Sequence, residues 1–259
     1  MNEPDTLQFE AVVFDLDGVV TKTAATHTKA WKNVFDDYLK KRAKKDMKKF
    51  REFSTKDYLK YVDGKPRYEG VESFLISRDI HLQWGSPDDK TDVESICGIG
   101  NKKNKIFQDI LNQQGVEVYD STLEMIKQLH HAHIKLAIAT SSKNGMKILE
   151  KAELTSYFKA VVDGVVSAKE QLKGKPEPDI FLKACDLLNA DPQLSILVED
   201  AVSGVKAGAK GNFGLTIGIA RKENSKELYS HGADHVIADF SEVKDLTELN
   251  KLFLKFRKK

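Results

Sequence analysis

One apolar run, Phe9-Glu10-Ala11-Val12-Val13, stands alone at the head of the chain, and no comparable run follows until residue 134. An isolated strand leaves its backbone donors and acceptors unpaired, so it must join strands from much further along. Between the two runs, segments 24–44, 55–62, 69–80 and 92–112 carry apolar residues at three- and four-residue spacing, the helical period. Gly64-Lys65-Pro66 and Trp84-Gly85-Ser86-Pro87 break that pattern as turns. From residue 120 onward helices and strands alternate. Helices are predicted at 121–131, from about 143, at 179–188 after Pro176 and Pro178, and at 202–209, 223–231 and 242–256. Strands are predicted at 134–139, 160–163, 195–198, 215–220 and 236–238. Alternation of this kind argues for an α/β fold with a doubly wound parallel sheet. The expected organisation is a discontinuous α/β core of residues 1–22 and 114–259, with an α-helical cap domain at 23–113 inserted after the first strand. No internal repeat or low-complexity segment interrupts it.

Composition narrows the class further. Hydrophobic residues make up 41% of the 259 and charged residues 31%, the profile of a soluble globular protein. The opening MNEPDTLQFE has no basic segment followed by an apolar one, and no apolar run approaches the ~20 residues of a membrane span, so neither a secretory leader nor a membrane partner is expected. Cys97 and Cys185 match no metal or redox spacing and read as reduced thiols of a cytoplasmic protein. Residues 23–113 hold 19 Lys and Arg against 14 Asp and Glu, whereas the remainder holds 22 against 25. A basic insert over an acidic remainder suggests a cover that attracts an anion. The densest basic stretch, KKRAKKDMKKFR from Lys40 to Arg51, reads as a solvated helix face or loop, with nucleic-acid contact as a distant alternative.

The first strand ends in Phe14-Asp15-Leu16-Asp17-Gly18-Val19-Val20. Side chains two apart on a strand share a face, about 6–7 Å apart at Cα, and two carboxylates that close raise each other's pKa unless a cation or proton intervenes. Either this is a polar strand end followed by an Asp-Gly turn, or it is a catalytic or metal-binding pair. Ligands in such sheets bind at the carboxyl ends of the strands. Thr140-Ser141-Ser142 follow the strand 134–139 and precede a helix, which suits a phosphate. Ser and Thr there are also ordinary helix caps. Lys175, before Pro176-Glu177-Pro178, could set a fixed cation on the same phosphate. Glu199 and Asp200 end the strand 195–198 as a second acid pair, and hard oxygen donors of this kind suit Mg²⁺.

The order of acid pair, Ser/Thr, Lys and acid pair resembles the haloacid dehalogenase-like phosphotransferases, and within them the β-phosphoglucomutase branch. The matching stretches are Phe14 to Val19, Ala139 to Gly145, Gly174 to Phe181 and Val198 to Gly204. The resemblance implies a Rossmann-like core, Mg²⁺ dependence and an aspartyl-phosphate intermediate. It implies that Asp15 is the nucleophile and Asp17 the acid/base, that Thr140 and Lys175 stabilise the transferring phosphoryl group, and that Ser141 and Asn144 belong to the same substrate loop. Asp15, Asp17, Glu199 and Asp200 form the implied metal set. In the cap it picks out His27 as a partner of the acid/base, Arg67 as the grip on a second, non-transferring phosphate, and Lys103 as a substrate contact. For Lys103, amid other lysines, a solvated position is an equal alternative.

A sugar phosphate is therefore the expected substrate, and a monomer the expected form. Arg67 favours isomerisation of β-glucose 1-phosphate to glucose 6-phosphate, because an arginine fork suits a phosphate that a simple monophosphatase does not hold. Lys22 departs from the family pattern, standing where relatives often carry an acid. The stretches 40–51 and 84–90 lengthen the cap beyond that of the compact mutases, so a sugar-phosphate phosphatase, for example on trehalose 6-phosphate, is the alternative. His130, His131 and His133 read as a polar helix end complementing the helix dipole rather than a metal site.

Overall fold

The computed structural model describes residues 6–47, 49, 51–221 and 224–257, which divide into two compact units. One comprises residues up to Lys22 together with 116–257, and the other runs from Thr23 to Gly115. Lys48 and Phe50 of the basic stretch, and Glu223 of the expected helix 223–231, lie outside the described residues.

The first unit is built on six parallel strands: β1 (Ala11–Phe14), β2 (Lys135–Ala139), β3 (Ala160–Val162), β4 (Ser195–Glu199), β5 (Leu215–Ile219) and β6 (His235–Ile237). Their order is β3-β2-β1-β4-β5-β6. The solitary first strand thus lies inside the sheet, with Val12 opposite Leu136 on one side and Ile196 on the other. All four of its residues are buried, as a strand covered on both faces requires. The carboxyl ends of β1, β2 and β4 therefore share one end of the sheet, where Phe14 registers with Ile138 and Val198.

Most helices of this unit match their predicted segments within a few residues, but 160–163 does not simply end as a strand. Asp163 leaves the sheet to cap a short helix at Gly164–Lys169 that the pattern did not show, its carboxylate accepting from the Val165 and Val166 amides at 2.9 and 3.1 Å. The last helix begins at Leu246, capped by Asp245, because residues 240–242 form a separate 3₁₀ turn.

The second unit is helical, with α1 (Thr23–Lys45), α2 (Thr55–Tyr61), α3 (Arg67–Ile76) and α4 (Ile96–Gln114). Its aromatic core stacks Trp31 on Phe35 and packs Phe35 against Phe53 and Phe74. Predicted helices 69–80 and 92–112 are shifted in register: α3 starts directly after Pro66, and α4 starts only at Ile96, where Ser95 Oγ accepts from the Gly98 amide at 2.9 Å. The first turns of the basic stretch are the end of α1, where two of its cations have acidic partners. Lys41 contacts Asp37 at 3.1 Å and Arg42 contacts Asp46 at 3.4 Å. No helix among the described residues is long and apolar enough to cross a membrane.

Candidate active site

Asp15 is the first residue beyond β1, and its amide donates to the Val198 carbonyl at 2.9 Å, extending the β1–β4 ladder by one step. Backbone pairing thus aims its carboxylate past the end of the sheet. There Lys175 Nζ donates to Asp15 Oδ1 at 2.6 Å and also to Glu199 Oε1. The ammonium is almost wholly enclosed, 3% exposed, and sits 4.8 Å from the Phe181 ring centroid. Glu199 uses its other oxygen to accept from the Ala201 amide at 2.6 Å, so its carboxylate is held at both ends.

Electrostatics follow from this enclosure. Burial pushes the Asp15 carboxyl up to about 8; Glu199 and Asp17 add to the rise while Lys175 opposes it. Burial also works against the Lys175 ammonium, but Asp15 and Glu199 outweigh it and hold its pKa above lysine's ordinary value. The site therefore gathers more negative charge than its one buried cation balances, and a further cation would be stabilised there.

Gly18 turns the chain after Asp17 with φ at +98°, a conformation that favours glycine. A Cβ at Gly18 would lie 2.2 Å from Asp200 Oδ2, so the turn of the first acid pair closes directly on the second. Among the described residues no three His, Cys, Asp or Glu side chains gather into a metal cage. Mg²⁺ needs none: it takes one or two carboxylates and fills its octahedron with carbonyl, water and phosphate oxygens. The oxygen-only donors Asp15 and Asp200, in a charge-rich pocket, fit that demand.

Thr140, 2% exposed, follows β2. Its hydroxyl lies 3.4 Å from Asp17 Oδ2 and accepts from the Ser142 amide at 3.1 Å. Ser141 and Asn144 stand in the same loop, with Asn144 buried. The structure thus brings Asp15, Asp17, Thr140, Lys175, Glu199 and Asp200 to one end of one sheet.

In the helical unit, Arg67 opens α3 and donates to Asn104 Oδ1 at 2.9 Å, and burial lowers its pKa from the ordinary arginine value. Lys103 is not solvated, which removes the alternative that its lysine-rich surroundings left open. It is 3% exposed, 4.9 Å from the Trp31 ring and 4.6 Å from the Phe107 ring, with Nζ 2.5 Å from His27 Nδ1. Lys103 Nζ and His27 Nδ1 thus share one hydrogen bond inside the helical unit. The His27 ring itself stacks on Phe107 at 3.9 Å.

Several contributors escaped the sequence reading. Phe181 floors the Lys175 pocket, and Asn104 fixes Arg67. Gly204 is needed because a Cβ there would fall 1.9 Å from Glu199 Oε1. Its signal was visible: a glycine inside a helical pattern costs about 1 kcal/mol and generally answers to packing.

Residues 12–216 match the haloacid dehalogenase-like hydrolase family. A Mycobacterium bovis protein named β-phosphoglucomutase is 43% identical over 237 residues, covering 90% of each chain. A Bacillus subtilis protein of the same name is 31% identical over 211 residues, covering 81% of this chain and 83% of that one. The crystal structure of a β-phosphoglucomutase from Clostridium difficile shares the fold, with a TM-score of 0.76 at 23% identity over 96% of this chain and 98% of that one.

Proposed function

The chain belongs to the haloacid dehalogenase-like hydrolases, in their β-phosphoglucomutase-like branch, and from that premise we propose that it isomerises β-glucose 1-phosphate to glucose 6-phosphate by Mg²⁺-dependent phosphoryl transfer through Asp15. The observation that carries this reading is the buried Asp15–Lys175–Glu199 arrangement. A carboxylate stripped of water, beside a fixed ammonium, is a nucleophile that incoming positive charge at the site would release.

Asp15 attacks phosphorus in line, forming the carboxyl–phosphate bond as the bond to the sugar oxygen breaks. Lys175 and Thr140 stabilise the equatorial oxygens, with Ser141 and Asn144 holding the same group. Asp17 gives a proton to the leaving oxygen and takes one from the hydroxyl that later attacks the phosphorylated Asp15. Asp15, the Asp17 main-chain carbonyl and Asp200, backed by Glu199, would hold Mg²⁺, which offsets charge on the phosphoryl oxygens when bound. By the family resemblance, Arg67 would hold the phosphate that is not transferred, with His27 and Lys103 as further substrate contacts.

The deciding assay supplies β-glucose 1-phosphate with a trace of glucose 1,6-bisphosphate and follows glucose 6-phosphate and inorganic phosphate together. Isomerisation without matching phosphate release is expected. In Arg67→Ala, loss of a buried arginine–phosphate contact costs on the order of 2–5 kcal/mol, a drop in isomerisation of roughly 30-fold to 5,000-fold. Hydrolysis of p-nitrophenyl phosphate, which has no second phosphate, should persist. One phosphate released per sugar phosphate, with no isomerisation by the wild type, would refute the mutase and leave a sugar-phosphate phosphatase.

A further inference from the structure

Arg221 follows β5, and β4 separates β5 from β1 in the sheet. Even so, Arg221 Nε donates to the Gly18 carbonyl at 3.2 Å, reaching over the end of β4 to the turn that carries the first acid pair. Its Nη1 donates to the Ala238 carbonyl beyond β6 at 3.1 Å and lies 3.8 Å from Asp239 Oδ2. The guanidinium carbon is 3.6 Å from the Tyr119 ring centroid, and the side chain is only 14% exposed. Tyr119 in turn donates its amide to the Val20 carbonyl at 3.0 Å. Two carbonyls of the turn, at Gly18 and Val20, are therefore tied to one stacked pair.

The turn needs such ties. Glycine is the residue whose backbone is least restrained by its own sterics, and Gly18 directly follows the Asp17 carbonyl. Rotation about Gly18 would swing both the Asp17 peptide and the segment against Asp200. A guanidinium is the side chain suited to the task, because its planar fork can stack and donate in two directions at once.

We propose that Arg221 is a positioning residue for phosphoryl transfer: it holds the 15–21 turn against Asp200 so that Asp15 and Asp17 present their oxygens at a set spacing. The consequence for chemistry rests on the function proposed above, whereas the clamp itself does not. Partners that orient ligating groups are typically worth 10–100-fold in metal affinity or activity.

The test compares full-length wild type, Arg221→Ala and Arg221→Lys by three readouts. Titration calorimetry with MgCl₂ should show a 10–100-fold weaker Kd in Arg221→Ala, with kcat on p-nitrophenyl phosphate falling alike. Arg221→Lys should recover part of both, since it keeps the charge and one donor but cannot span Gly18 and Ala238. Hydrogen exchange should accelerate at least tenfold at the protected amides of Gly18, Val20, Thr21 and Lys22, with β1 and β4 unchanged. The proposal is overturned if those amides keep their protection, if exchange rises equally across β1, β4 and β5, or if they loosen while Mg²⁺ affinity and kcat stay at wild-type values. If wild type itself binds no Mg²⁺ and turns over nothing, the proposed function fails. The clamp is then decided by exchange at Gly18 to Lys22 alone.

Discussion

Asp15→Asn should abolish turnover and at the same time stabilise the metal-free protein near pH 8. Burial beside Glu199 and Asp17 raises the Asp15 carboxyl from 3.8 to about 8, so between those values the folded chain binds a proton that the unfolded chain releases. Stability therefore falls with rising pH across that window, by about 1.4 kcal/mol per pH unit, on the order of 5 kcal/mol by pH 8. Asparagine resembles the protonated acid: it has no charge to desolvate and still offers Lys175 a carbonyl oxygen to accept its hydrogen bond. The gain at pH 8 is therefore on the order of 5 kcal/mol, or roughly 10 °C in Tm for a chain of this size. It should shrink steadily on acidification and vanish below about pH 4, where Asp15 is neutral in both states. The assay is thermal unfolding of EDTA-treated wild type and variant from pH 4 to 8, with the Mg²⁺-induced rise in Tm measured alongside. That rise should be smaller in Asp15→Asn. A variant less stable than wild type by the same amount at pH 5 and pH 8 would refute the argument that Asp15 is held as a charge-strained acid. Retained turnover would refute its role as nucleophile.

Gly204→Ala places a methyl 1.9 Å from Glu199 Oε1, a clash that the ~1 kcal/mol gain in helix propensity does not offset. Displacement of Glu199 should lower kcat at least tenfold, and a wild-type kcat would show that Glu199 does not hold Lys175 in place. In the helical unit, Arg78 donates to Asp57 Oδ2 at 2.9 Å and to the Glu52 carbonyl at 3.1 Å, both side chains being 9% exposed. Arg78→Ala should destabilise that unit by about 3 kcal/mol, read as faster limited proteolysis within residues 23–115. Burial alone would raise the Asp57 pKa, but hydrogen bonds from Ser54 and the Arg78 charge bring it below 3.8. Its contribution is therefore full above about pH 4 and is lost as pH falls through the lower folded value. Proteolysis of the wild-type unit that stays slow down to pH 2 would remove that account.

Local spacing was enough to read the class of the fold. Strand and helix periods depend only on neighbours a few residues apart, so the alternation after residue 120, the helical run before it and the acid pair at Asp15 and Asp17 were legible in the chain itself. Helix starts were less so, because caps such as Ser95 and Asp163 act through single hydrogen bonds that leave little trace in periodicity. What only the tertiary structure decided are contacts between residues far apart in the chain. The interior place of β1 comes from pairing with β2 and β4. The enclosure of Lys175 between Asp15 and Glu199 joins positions 160 and 24 residues apart. Lys103 is buried because α1 and α4 bring Trp31 and His27 to it, although its own neighbours read as surface. Arg221 meets Gly18 across 203 residues, in a loop whose sequence carries no sign of that contact. Such contacts follow from strand order, and strand order is set by which apolar faces can be buried together, a property of the whole chain rather than of any one segment.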